Sequence, residues 1–169
     1  EQNYSAQYGE ALGAVINPIT KSGTNQFHGS AFEFFRNEAF DARDALAGKQ
    51  KFRLNQFGGS VSGPITKGKS SFFLDVPRRV IDDNAIINAT ILNSNLIPGP
   101  FNVALVTPTR FFSFSPRFDY QLNPGNTLVA RYSYSHTSAE NIGASDFSLP
   151  ERAYDRSSTE QFLQLMESF

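Results

Sequence analysis

The chain has 169 residues, no cysteine and a formal net charge of -1, from 15 Lys plus Arg against 16 Asp plus Glu. That length fits one ordinary domain, the missing thiols exclude disulfides and thiolate metal sites, and the balanced charge gives no bulk attraction to nucleic acid or to an anionic surface. No run of 18 apolar residues encodes a membrane helix, yet the mean hydropathy of -0.33 leaves a membrane barrel open, because half of every barrel strand faces a polar lumen.

In chain order, the small and β-branched residues from Ala11 to Thr20 predict a buried strand that Pro18 interrupts or confines to an edge. Ser22 to Asn25 is a loop by composition. A strand is predicted from Phe27 to Arg36, with Ser30, Phe32 and Phe34 opposing Ala31 and Glu33. Residues 37–51 are polar, and Ala42, Ala45, Leu46 and Ala47 hint at a short helix. The next strand runs from Arg53 to Pro64, with Phe57, Gly59 and Val61 on one side. Thr66 to Lys69 then turns tightly into a strand in which Phe72, Leu74 and Val76 oppose Ser71 and Asp75. From Val80 to Arg110 no period persists and Pro98, Gly99, Pro100 and Pro108 punctuate the chain, so a long loop is expected.

The strongest alternation comes next. Phe112, Phe114, Pro116, Phe118, Tyr120 and Leu122 share one parity, and Ser113, Ser115, Arg117, Asp119 and Gln121 the other. Asn123-Pro124-Gly125-Asn126 reverses the chain. The pattern resumes with Leu128, Ala130, Tyr132 and Tyr134 opposite Arg131, Ser133 and Ser135. A loop from Thr137 to Ser158 precedes a last strand, where Leu163 and Leu165 oppose Phe162, Gln164 and Met166. Strands of about 9–11 residues cross an outer membrane, whereas soluble strands run nearer five or six. The expected links run long, short, long, short, long, at roughly 16, 6, 30, 4 and 22 residues. Tight turns on one rim and loops on the other are how a transmembrane up-and-down barrel is built. The fold class read here is therefore all-β, an antiparallel up-and-down transmembrane barrel fragment of about six strands, too few to close. The alternative is a soluble or surface-anchored β-sheet module that binds carbohydrate or protein.

Tyr8-Gly9, Gly13 to Asn17 and Thr20 to Ser30 resemble the junction between plug and barrel in TonB-dependent outer-membrane receptors, and in particular the Oar-like group. Phe32 to Asn37, Asn55 to Ser60, Gly63-Pro64-Ile65 and Asn123 to Tyr134 continue the resemblance over nearly the whole chain. Two departures are Pro18, where the group usually has a β-branched residue, and Pro77, which implies a bulge, a strand end or local disruption. The resemblance implies the end of a plug domain over 1–25 and the first barrel strands over 26–169. It further implies a complete barrel of about 22 strands, location in the cell outer membrane, and energised uptake of a ligand. Partners implied are outer-membrane lipid, an unknown extracellular ligand, and the TonB complex through regions before Glu1. The chain starts without an initiator Met and stops in an alternating run, and is expected to be a piece of a longer protein with two open edges.

Little in the chain points to chemistry, so no catalytic, metal or cofactor site is expected. His28 and His136 have no second ligand at metal spacing. Asp82-Asp83-Asn84 lacks the Gly and distal Glu of a calcium loop. Gly58 to Gly63 lacks the Lys-Ser/Thr of a phosphate loop. The lumen-facing candidates are Glu33, Asp75, Arg117, Asp119 and Arg131; the lipid-facing candidates are Phe112, Phe114, Phe118, Tyr120, Tyr132 and Tyr134.

Overall fold

The computed structural model describes residues 21–42, 51–145 and 147–168. Six strands among them form one antiparallel sheet in strict chain order. They are β1 (His28–Asn37), β2 (Arg53–Thr66), β3 (Ser70–Leu92), β4 (Pro98–Asn123), β5 (Asn126–Ile142) and β6 (Tyr154–Ser168). Among the described residues each strand pairs with its sequence neighbours only, so β1 and β6 each have one edge without a described partner and these six strands form a wall, not a closed barrel. The strand expected over 11–20, the effect of Pro18 on it, and all of the hinted helix after Ala42 lie outside the described residues. Immediately after β1 the chain makes a 3-10 turn, Glu38–Phe40, capped by Asn37 Oδ1, which accepts from the Ala39 N–H at 2.8 Å.

Two tight turns lie at one end of the sheet. Residues 67–69 turn with Gly68 at φ +70°, a conformation that glycine adopts without steric cost, and Gly68 N–H donates to Asn25 Oδ1 at 2.8 Å. Pro124 and Gly125 make the other, where Asn123 Oδ1 accepts from Gly125 N–H at 3.0 Å. The ends of β1 and β2, of β3 and β4, and of β5 and β6 that the other three links join lie at the opposite end.

The long loop expected from Val80 to Arg110 is instead the upper half of β3 and β4. Their pairing runs from Ser70↔Tyr120 to Leu92↔Pro98 without a register shift, and only 93–97 turns. Asn93 closes that turn, its Oδ1 accepting from Asn95 and Ile97 N–H at 2.9 and 3.0 Å. The prolines read as breakers are compatible with the strand because of where they fall. Pro98, Pro100, Pro108 and Pro116 all occupy even positions of an unshifted strand, so each turns its missing N–H to the edge away from β3. For the first three that edge has no β5 partner, and at Pro116 the β4–β5 ladder skips two pairs between Phe114↔Tyr134 and Arg117↔Arg131. Pro77 behaves likewise. It neither bulges nor ends β3; the β3–β4 ladder omits two pairs between Asp75↔Ser115 and Arg78↔Phe112, then resumes in register.

Close approach between strands relies on two glycines of β2. A Cβ on Gly58 would meet Pro77 Cα at 2.8 Å, Val76 O at 2.9 Å and Phe32 Cζ at 3.0 Å, and a Cβ on Gly63 would run into the Phe27 ring. The rings of Phe32 and Phe27 therefore fill the space that these residues leave. Nothing resembling a two-layer core accompanies this: among the described residues the buried apolar side chains are Ile87 and Val129.

Replacing Gly58 with Val is expected to destabilise the sheet by about 1–3 kcal/mol through overpacking against β3 backbone. Urea unfolding of the full-length protein in detergent micelles checks this, with Gly99→Val as the control, since nothing lies within 4 Å of a Cβ at Gly99.

Candidate functional site

Directly paired residues of an antiparallel sheet project from the same face, so the register sorts every side chain. One row reads Gly29, Val61, Leu74, Pro116, Tyr132 and Leu163, and the row beside it Ala31, Gly59, Val76, Phe114, Tyr134 and Gln161. Phe112, Phe118 and Tyr120 belong to flanking rows of this face, so all six aromatic candidates of β4 and β5 stand together. Phe118 stacks on Tyr120 at 6.2 Å, and Phe112 meets Tyr134 at 6.3 Å. From Tyr120 to Phe112 is about 27 Å along the strand at about 3.4 Å per residue, which a strand tilt of about 40° reduces to about 21 Å, within the ~25 Å height of a membrane barrel's apolar band.

Asp75, Arg117, Asp119 and Arg131 stand on the other face. Glu33 does not join them. It pairs with Phe57, whose partner Arg78 pairs with Phe112, so Glu33 sits at the margin of the aromatic face. The reason lies in β1, where Ser30 Oγ contacts Ser60 Oγ at 2.9 Å and the Phe32 ring covers Gly58, fixing a register that leaves Glu33 on the opposite side. His28 also lies on the polar face, paired with Ser62. His136 is on the aromatic face, its Nδ1 2.9 Å from Thr159 Oγ1.

The centre of the polar face is an arginine pair, one member of which, Arg117, is bound by a carboxylate. Arg117 and Asp119, two residues apart on β4, project side by side; Arg117 Nε donates to Asp119 Oδ2 at 2.9 Å and Nη2 to Oδ1 at 2.7 Å. Both side chains are only 14% exposed. Arg117 also pairs directly across the ladder with Arg131, placing two cations opposite each other. Such a pair is unfavourable alone, and Asp119 offsets it. Arg131 Nε is buried without a hydrogen-bond partner. It borders a hollow of about 500 Å³ lined also by Lys21, Asp75, Arg117, Phe162 and Gln164. An unused guanidinium N–H beside the hollow suits recognition of a polar or anionic group. Among the described residues no group of three His, Cys, Asp or Glu could hold a metal ion.

Sequence reasoning missed the features of 80–110. Asp82-Asp83-Asn84 lies within β3, not in a loop; Asp82 pairs with Arg110 Nη2 at 2.5 Å, and Asp83 Oδ1 accepts from Asn84 N–H at 2.8 Å. Beyond Arg53↔Asp82 and Thr109↔Ala139, β3 and β4 pair only with each other. In this ribbon the faces exchange character. The face that carries Arg117 below now carries, above Asp83 and Thr107, the apolar run Ala85, Ile87, Ala89, Ile91, Phe101, Val103 and Leu105, while the former aromatic face becomes mixed, with Asp82, Asn84, Asn88, Thr90 and Asn102 beside Ile86, Ala104 and Val106. Continuing the parity count through the prolines would have found this.

A single antiparallel sheet with one apolar face, one charged face and turns sorted by end defines the wall of a transmembrane β-barrel. Residues 19–110 match the family model for the outer membrane beta barrel domain, and the chain belongs to that family. It is located in the Gram-negative outer membrane. Over 79 residues it is 35% identical to the TonB-dependent transporter Oar of Myxococcus xanthus, covering 41% of this chain and 7% of that protein. Over 71 residues it is 38% identical to a probable TonB-dependent siderophore receptor, PirA, of Acinetobacter baumannii, covering 41% of this chain and 8% of that one. The chain thus spans less than a tenth of either curated relative. No solved structure matches it significantly.

Asp119→Ala is expected to cost about 2–3 kcal/mol, because it leaves Arg117 facing Arg131 uncompensated. The double variant Arg117→Ala with Asp119→Ala should cost no more than Asp119→Ala alone. A double-mutant cycle of unfolding free energies measures the coupling.

Proposed function

We propose that this chain is part of a TonB-dependent outer-membrane receptor of the Oar-like group, contributing the end of the plug over 1–25 and consecutive barrel strands over 26–169. The observation that carries the reading is the aromatic face, continuous over β2 to β6 at the height of an apolar bilayer, on a sheet that has almost no core of its own. In this reading Phe112, Phe114, Phe118, Tyr120, Tyr132 and Tyr134 meet lipid, and Asp75, Arg117, Asp119 and Arg131 face the lumen. The transporter and receptor names of the two relatives support a role in ligand uptake and not in catalysis.

The lumen cluster has a definite part in such a device. Lys21 O accepts from Arg117 Nη1 at 3.4 Å, so the segment preceding β1 is tied to the inner wall at Arg117. A plug anchored by hydrogen bonds of this strength, about 0.5–1.5 kcal/mol each, can be shifted by work delivered through TonB, and Arg131 offers an anionic ligand or plug carboxylate a partner along the opened path.

The two faces are separable by a charge scan in the full-length protein folded into phospholipid vesicles. Phe114→Arg should cost about 2–4 kcal/mol, the penalty for a cation near the bilayer centre, while the neighbouring Ser115→Arg should cost under about 1 kcal/mol. Equal costs would remove the assignment of faces. The TonB part is checked by retention of the full-length protein on the immobilised periplasmic domain of TonB; absence of retention would reject it.

A further inference from the structure

We propose that Arg53 and Arg78 form a site for phosphate groups on the headgroup of an outer-leaflet lipid. The site presupposes the proposed barrel, in which the aromatic face meets lipid. Both arginines project from that face and are exposed: Arg78 pairs with Phe57 and Phe112, and Arg53 with Asp82. They stand where the aromatic rows end and the same face becomes mixed, with Asp82, Asn84, Asn88 and Thr90 among Val80, Ile86 and Val106, the level at which the wall first presents polar groups outward. That level is on the side of the long links, opposite the tight turns.

The carboxylates nearby do not consume the two arginines. Asp82, directly across from Arg53, is engaged by Arg110 Nη2 at 2.5 Å, and Arg110 Nη1 donates to Ile81 O at 2.7 Å. Glu33 is two strands away from Arg78, beyond Phe57. Neither the Arg53 nor the Arg78 side chain has a hydrogen bond or ion pair among the described residues. Their Cα atoms are about 14 Å apart at about 3.4 Å per residue, a span that two extended arginines close from its two ends on one phosphate, or occupy separately on a bisphosphorylated sugar. Arginine suits this role because its planar fork binds phosphate oxygens two at a time.

The test uses the full-length protein reconstituted in vesicles of phosphatidylcholine alone, with lipid A, or with lipid A stripped of its phosphates. After detergent extraction, retained lipid is counted by native mass spectrometry. Wild type is expected to retain phosphorylated lipid A, and the double variant Arg53→Gln with Arg78→Gln at least about tenfold less, while Lys67→Gln with Lys69→Gln on the turn side retains the wild-type amount. Equal retention by wild type and the arginine variant, or of the two lipid A forms, overturns the site and leaves the barrel reading standing. Displacement of lipid A by millimolar inorganic phosphate overturns the lipid assignment in favour of a free-anion site. Failure to insert into any of the vesicles overturns the barrel reading together with the site.

Discussion

A single sheet has to find solvents for two faces, and this one has no second layer to bury either against. Folded proteins in water solve the problem by stacking layers around a core. Here Phe114, Leu163 and Leu165 are still 36%, 67% and 68% exposed. Removing a side chain of that size from water is worth about 1.5–3 kcal/mol, so a face lined with them is stable only against something apolar that the sheet does not itself supply. Acyl chains meet that need, and the charged face then has to border water or polar protein. The other features of the sheet derive from this division.

The first consequence is lateral. With no core, the hydrogen-bond ladders hold the strands together, and in lipid an unpaired backbone group costs several kcal/mol. Six prolines nonetheless lie in the strands: Pro64, Pro77, Pro98, Pro100, Pro108 and Pro116. Those on the upper part of β4 turn their missing donor to an edge beyond the last β5 pair, and the gaps at Pro77 and Pro116 are confined to two pairs each without loss of register. The same prolines limit how far the fold can be read from sequence. The alternation at 111–136 and the turn at Asn123 to Asn126 were legible because parity and turn chemistry agree there. Residues 80–110 were not, because a proline looks the same whether it ends a strand or faces an open edge. Only the register of the neighbouring strand tells the two apart.

The polar face was legible in part for a related reason. Asp75, Arg117, Asp119 and Arg131 lie on strands whose alternation is strong, so parity alone placed them together. Glu33 lies on β1, where Phe32 and Phe34 share the polar face and a polar residue is left on the aromatic one. Parity within that strand was read correctly, but which parity faces the lumen depends on how β1 docks on Gly58 and Ser60, a tertiary fact. Nor does sequence spacing disclose that Arg117, bound to Asp119, is the cross-strand partner of Arg131.

The exchange of character along β3 and β4 has its origin in the same division of solvents. Arg78 and Arg79 are adjacent in sequence and leave opposite faces of one strand, Arg78 toward the lipid margin and Arg79 over the Phe111 ring at 5.7 Å. Below them the outer rows are Val76, Phe114 and Tyr134 and the inner rows Asp75, Ser115 and Ser133; above them the outer rows are Asp82 and Asn84 and the inner rows Ile87 and Val103. A strand pattern alternates identically along its length unless its surroundings change. In the proposed orientation this change falls at the height where the outer face would pass from hydrocarbon to headgroups, while on the ribbon's inner face Ile87 is fully buried. Arginine, with an apolar stem and a charged head, is the residue type suited to that boundary.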